Sequence, residues 1–304
     1  MKLLATTILV FLIPFSIQAQ QLADHEYRPS VKNPHYAVGK GPIIAIDEAH
    51  HNFHTREGRY NAFTKVLTAD GYRVVSSKNK ITADYLATIN ILVIANAIHP
   101  ENDTLWALPT KSAFTTEEIS VLEKWVHEGG SLFLIADHMP MPGAVHALAQ
   151  QFGYTFYNGF ATDTTQGIYP GQKRELDLFS RKKNTLGKHA ITQNIEQIAT
   201  FTGQAFEIPT GATSLLTFDE RFKILLPDTA WKFHKRTPRM PINGFSQGAV
   251  STYGKGRLAV FGEAAMFTAQ TKGASKVPFG FNAPDAPENI IFLRNIIQWL
   301  NHTL

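Results

Sequence analysis

The chain has no cysteine in its 304 residues. That absence excludes a thiolate nucleophile, a disulfide framework, a cysteine-ligated zinc and a lipid-modified N-terminal cysteine. Stability must then come from core packing. Blocks of like charge are also missing. The 29 basic and 25 acidic residues leave a formal charge of +4 spread along the chain, and a run as short as Arg181-Lys182-Lys183 reads as a solvated face. No nucleic-acid partner is expected. There is no internal repeat and no heptad pattern. What is present is ordinary globular material, 44% hydrophobic and 18% charged, enough for one large α/β domain or two small ones.

The first residues stand apart. Lys2 precedes an apolar stretch from Leu3 to Ile17, which ends at Ser16-Ile17-Gln18-Ala19. A short positive region, an apolar segment and a small residue at a cleavage point describe an export signal over residues 1–19. The stretch is shorter than the ~20 apolar residues of a membrane span and contains Pro14. The mature protein is therefore expected in the periplasm or outside the cell, with no stable membrane insertion. Residues 20–41 are polar and proline-marked and read as an N-terminal arm.

From Pro42 the pattern alternates. Ile43 to Ile46, Tyr72 to Ser76, Ile91 to Asn96 and Ser131 to Ala136 are apolar runs of buried-strand type. Between them lie helical segments at residues 56–69, 82–88 and 115–128, the last opened by Thr115 with Glu117 and Glu118 in its first turn and closed by Gly129-Gly130. A further helix is expected from about Gly143 to Phe152. Such alternation implies βαβ units and a mostly parallel sheet with helices on both faces. Strand candidates return at residues 198–202, 205–208, 214–218, 249–253 and 258–261, and a helix at 287–300 closes the chain. Residues 159–188 read as a long loop or insertion. No linker divides the two halves, so residues 42–304 are expected to form one domain.

In a parallel α/β sheet the C-terminal strand ends open on one rim, so residues that follow different strands meet in space. Asp47-Glu48-Ala49-His50-His51-Asn52-Phe53-His54 follows the first strand, Asn96 the third, Asp137-His138 the fourth and Glu263 the late one. Charged groups gathered on one rim are costly unless paired, bound to metal or used. Asp47, Glu48, His138 and Glu263 are the catalytic candidates. Asn52, Asn96, Asp137 and the loop residue His189 are candidates for substrate binding.

Three chemistries suit such residues. His50, His54 and His138 could hold a divalent metal such as Zn²⁺, with a carboxylate as general base, although their spacing lacks a helix-period signature. Metal-free acid and base catalysis would use an imidazole and Glu48 or Glu263. Adjacent Asp137 and His138 would point to opposite sides if the strand continued through them. Gly244-Phe245-Ser246-Gln247-Gly248 matches Gly-x-Ser-x-Gly, but a hairpin pattern follows it where a nucleophile elbow needs a helix. Phe156, Tyr157, Phe160, Tyr169 and Trp106 offer apolar faces to a ring, or pack locally.

Ile46-Asp47-Glu48-Ala49-His50, Trp125 to Leu132, Ala136-Asp137-His138 and Gly254 to Phe267 together resemble the class I glutamine amidotransferase-like superfamily, and within it the DUF4350 group. The resemblance implies a flavodoxin-like sheet with a site at its strand ends. The superfamily's amidotransferases use a cysteine that this chain lacks, so glutamine hydrolysis by that route is excluded. Asp137-His138 also resembles the strand-end histidine of ThuA-like relatives, which implies a carbohydrate-type ligand. The expected function is an exported, metal-assisted hydrolase acting on a small polar or carbohydrate-type substrate. The alternative is a non-catalytic periplasmic module that binds a carbohydrate or peptide.

Overall fold

A computed structural model describes residues 21–166 and 176–304. The signal segment expected at residues 1–19 lies outside the described residues, as does Tyr169. In chain order come β1 (Gln21–Ala23), β2 (Ile43–Asp47), α1 (Asn61–Ala69), β3 (Arg73–Ser77), α2 (Ala83–Leu86), β4 (Ile91–Ala95), α3 (Thr116–His127), β5 (Ser131–Ile135) and α4 (Met141–Gln151). Short strands then dominate: β6 (Thr155–Phe156), β7 (Phe160–Asp163), β8 (Asp177–Ser180), β9 (Gln197–Thr200), β10 (Phe206–Glu207), β11 (Thr213–Thr217), β12 (Phe222–Leu225) and β13 (Arg239–Pro241). They lead to β14 (Ser246–Tyr253), β15 (Gly256–Phe261), β16 (Ala269–Lys272), β17 (Val277–Gly280) and α5 (Asn289–Leu300).

The main sheet runs β3-β2-β4-β5-β15-β14-β10-β6, with β11 also on β14. Its first five strands are parallel. The rest are antiparallel. The sheet is therefore mixed, and the expectation of a mostly parallel one holds for its first five strands. The cause is local. After α4 the chain supplies strands too closely spaced for helical crossovers, and β14 returns into β15 through Gly254. That glycine has φ +58°, and a Cβ there would lie 2.4 Å from the His127 carbonyl oxygen. The turn thus requires glycine.

Alternation along the parallel strands sends successive side chains to opposite faces. Ile44, Ile46, Val93 and Phe133 pack with α1 and α5, through Phe63, Val66, Phe292 and Ile296. Ala45, Leu92, Ile94 and Leu134 pack on the other side with α3 and α4, through Leu122, Val126, Val145 and Leu148. Helices cover both faces of the parallel half, as the continuous apolar strands require. No helix among the described residues is long and apolar enough to cross a membrane.

The arm is tied to the domain at both ends, with Tyr36 N–H donating to the Asp70 carbonyl at 3.1 Å. β1 pairs antiparallel with β16, setting Ala23 opposite Gln270. More consequential for the site, β2 lies between β3 and β4, so the connections leaving β2 and β4 diverge to opposite faces. A crevice opens where they part, outside the carboxyl ends of the strands. The two loops stay in contact there, with Phe53 N–H donating to the Asn96 carbonyl at 2.9 Å and Ile98 N–H to the His50 carbonyl at 3.0 Å.

Candidate functional site

Asp47 ends β2 fully buried, and its carboxylate oxygens lie 3.0 and 2.9 Å from His50 Nδ1. His50 Nε2 lies 3.2 Å from Glu118 Oε1, at the start of α3. A neutral imidazole carries one N–H, so carboxylates at both nitrogens match the doubly protonated ring. Burial alone would lower the His50 pKa. The hydrogen bond and charge of Asp47, joined by those of Glu118, outweigh burial and raise it. Glu118 Oε2 meanwhile accepts from the Thr115 backbone N–H at 3.1 Å in a capping box. This bridge pins the loop after β2 to α3, with Phe114 against the imidazole at 4.3 Å.

A second group lies across the crevice. Asn96, with φ +52°, turns the chain just after β4. Its Oδ1 accepts the Asp137 backbone N–H at 2.8 Å, which fixes the amide orientation. The NH₂ group therefore faces His54 Nδ1, 3.1 Å away, and that nitrogen must accept. The His54 proton is thereby placed on Nε2, a buried atom with no hydrogen-bond partner. Burial, then the charges of Arg59 and His138, hold the His54 pKa well below the usual histidine value. His54 is a neutral ring with an unmet buried N–H, and the residue lines the cleft.

His138 completes the pair. Its Nδ1 lies 2.9 Å from the Met139 carbonyl, so Nδ1–H donates and Nε2 is left as the ring's acceptor. The ring stacks on Phe160 at 4.6 Å and meets Trp231 edge-on at 4.6 Å. The Asp137 carboxylate accepts the His138 backbone N–H at 2.8 Å and sits in the same wall. Asp137 and His138 follow the last residue of β5, so the opposite-facing geometry of a continuing strand does not apply, and both line the cleft. Counting its mouth, the cleft holds about 420 Å³ of empty space.

Two further contributors are polar. Arg59 lies over the Phe53 ring at 3.9 Å and donates to the Gln21 carbonyl at 3.4 Å. Among the described residues no carboxylate pairs with it. Gln270, buried in β16, donates to Thr268 Oγ1 at 2.8 Å while its Oε1 has no partner. Arg59 sits at the far end of the connection after β2, just before α1, and Gln270 in a separate sheet, so strand-end reasoning singles out neither. Nor does the sequence mark Glu118 as a site residue, because Thr115-x-x-Glu118 accounts for it as a cap.

Of the expected residues, His54, Asn96, Asp137 and His138 meet at the cleft. Asp47 and His50 pair with each other beside it. The half-buried Glu48 accepts from the Arg56 backbone N–H at 2.8 Å and from Ser76 Oγ at 2.9 Å, which ties the loop together. Asn52 accepts the His50 backbone N–H at 3.1 Å. Glu263 is fully buried behind the wall, its two oxygens accepting from Ala265 N–H at 2.8 Å and Met266 N–H at 2.7 Å. Burial, and then the nearby Asp137 charge, push its pKa well above the usual carboxylate range. His189 caps the turn at Ala190–Thr192 and packs 5.8 Å from Trp299, by Arg257 near the start of β15. That is the opposite end of the sheet. Ser246 opens β14 and donates to Ser214 Oγ at 2.7 Å, so it sits in a hairpin.

The residues do not suit the expected metal. Both His50 nitrogens are engaged by carboxylates, and His54 Nε2 carries the proton set by Asn96. Among the described residues no three His, Asp or Glu side chains are placed to hold an ion. His138 Nε2 alone retains a lone pair for one.

No protein-family model matches the chain, and no curated protein matches it in sequence. In structure it is similar to the mmIFT52 N-terminal domain, with a TM-score of 0.59 and 16% identity over 84% of this chain and 96% of that one. It is also similar to a putative ThuA-like protein from Bacteroides uniformis, at TM-score 0.49 and 14% identity over 89% and 95% of the two chains. A putative GMP synthase component from Thermoplasma acidophilum gives 0.45 and 10%, over 86% and 95%. At 16% identity the first likeness is one of fold alone.

Proposed function

We propose that this chain is an exported hydrolase-like enzyme whose active site is the cleft between His54 and His138. The observation that carries this reading is the pairing of an unmet buried donor, His54 Nε2–H, with a free acceptor, His138 Nε2, in one concave site. A buried donor left unsatisfied costs roughly 1–3 kcal/mol. A bound molecule repays that cost.

In the hydrolytic step His138 Nε2 takes a proton from water as the oxygen bonds to an electrophilic carbon. The negative charge that develops on the substrate's oxygen is stabilised by His54 Nε2–H and the Arg59 guanidinium. The proton then leaves His138 for the departing group. Asp137 fixes the backbone of His138, while the Met139 carbonyl and Phe160 fix its ring. No step is routed through a metal. The order β3-β2-β4-β5-β15 reads 2-1-3-4-5 in chain order, the flavodoxin-like arrangement. It supports the superfamily reading, while placement in the DUF4350 group rests on the sequence motifs alone.

The second reading, a non-catalytic periplasmic module that binds a carbohydrate or peptide, is favoured by the exposed rings of Phe53 and Trp231 at the mouth. Turnover of chromogenic esters, amides and glycosides by wild type and His138→Gln separates the two. The enzyme reading expects His138→Gln to lose about 10²–10⁴-fold in kcat while the thermal midpoint holds. Wild-type protein that turns over none of these, or a variant as active as wild type, sinks it.

A further inference from the structure

Charge and hydrogen-bonding capacity in the cleft define a narrower substrate class. Arg59 offers a cation that no carboxylate among the described residues engages, and His54, with its unmet Nε2–H, lines the same cleft. These donors are of different kinds, and together they suit one planar anion. Asp137 is in the wall as well. Its charge offsets that of Arg59, so the cleft is not built for a dianion such as phosphate, which takes several donors and repels a neighbouring carboxylate.

The unmet acceptor is equally informative. Gln270 Oε1 is buried and unpartnered, and a ligand satisfies it only by donating an O–H or N–H. Asp137 likewise accepts. Phe53, under Arg59, and Trp231, against His138, give the mouth apolar faces.

We infer that the cleft takes a hydroxy-carboxylate of monosaccharide size, a sugar acid in chemical class. Its carboxylate lies on Arg59 and His54 Nε2–H, and its hydroxyls donate to Gln270 Oε1 and Asp137. The inference rests on the cleft being the ligand site and is separable from the hydrolytic reading. The cleft is small, with about 60 Å³ of room beneath a mouth open to solvent, which suits one small molecule and not an oligomer.

Calorimetric titration of the full chain with D-glucuronate, its methyl ester, glucose and inorganic phosphate tests this. Wild type is expected to bind glucuronate at least ~10-fold more tightly than the ester, glucose or phosphate, an advantage of about 1.4 kcal/mol. Arg59→Met should bring glucuronate down to the level of the ester and leave the ester unchanged, and Arg59→Lys should keep part of the preference. Thermal midpoints report whether each variant folds. If Arg59→Met is unfolded, the Arg59→Lys series and the wild-type acid-to-ester ratio decide.

An acid-to-ester ratio near one, tighter binding of phosphate, or no binding of glucuronate overturns the inference. Turnover that depends on His138 without glucuronate binding would leave the hydrolase reading standing alone. Glucuronate binding without turnover of any substrate would do the reverse.

Discussion

The Asn96 amide nitrogen lies 3.1 Å from His54 Nδ1 while the Asn96 oxygen accepts the Asp137 backbone N–H at 2.8 Å, so one side chain sets both the tautomer of a histidine and the path of the chain after β5. Removing it strands a buried N–H of Asp137 and a buried acceptor on His54. It also leaves the left-handed φ of +52° to a residue less tolerant of it. Asn96→Ala should therefore destabilise the protein by about 2–4 kcal/mol. Urea unfolding measures this, and a loss within 0.5 kcal/mol, a value roughly that of an ordinary surface change, would contradict the assigned role.

His54 predicts a pH dependence. Buried and neutral, it resists the proton that the unfolded chain accepts near pH ~6.5. Below that pH the unfolded state binds more protons, so stability falls as pH falls, with a limiting slope of about 1.4 kcal/mol per pH unit from this group. His54→Gln lacks the term. Unfolding free energies between pH 5 and 7 should give a shallower slope in the variant, and equal slopes would show that His54 takes up its proton in the folded state.

Which parts of this were legible in the sequence follows from length and exposure. Four of the parallel strands, β2, β4, β5 and β15, are largely apolar and buried on both faces, and such runs announce themselves, while β3 at the sheet edge leaves Arg73 and Val75 exposed. β6 and β12 have two and four residues, too few for an alternation to register, and β12 and β13 pair as a separate ladder with β7. Strand-end logic located Asn96, Asp137 and His138 because it places backbone. It did not show that Asp47 turns to His50 or that Glu263 faces its own following turn, since side-chain direction after a strand depends on the loop. Arg59 reaches the cleft from the far end of the loop after β2, and Gln270 from β16, the central strand of a small sheet whose β1 partner comes from the other end of the chain. No local pattern marks them.

His50 carries a shift of opposite sign. Its pKa is raised, net, by Asp47 and Glu118 against the cost of burial. Its stabilisation is fully present below the unfolded value of ~6.5 and is lost as pH rises through the folded value. His50→Ala leaves two buried carboxylates facing a void and should cost roughly 3–5 kcal/mol at pH 6, with a smaller deficit at higher pH. Denaturant unfolding at pH 6 and pH 9 checks both parts. A deficit that grows with pH would mean that the ring is neutral in the folded chain.

The donor set also predicts what zinc will do. With both His50 nitrogens held by carboxylates and His54 protonated on Nε2, added Zn²⁺ should stabilise the fold by less than about 1 kcal/mol at 100 µM, since ligand linkage scales with concentration over Kd. Differential scanning fluorimetry with Zn²⁺ and with a chelator reads it. A midpoint rise that saturates at one equivalent and disappears in His138→Gln would restore the metal site.

Glu263 and Asp137 supply the last test. Glu263 is wholly buried, its pKa raised first by burial and then by the Asp137 charge, against the pull of two backbone N–H donors. Between the unfolded carboxyl value of ~4.3 and the raised folded value, the folded state holds a proton that the unfolded state has released. Stability from this group therefore falls as pH rises through that window. Glu263→Gln keeps one acceptor, sets an amide against the other backbone N–H and removes the titration. It should cost most near pH 4–5, where wild-type Glu263 is protonated at no expense, and least toward neutral pH, where holding that proton is costly. A deficit that stays constant from pH 4.5 to 7 would mean that Glu263 ionises in the fold as it does in water, and the two N–H donors would then outweigh both burial and Asp137.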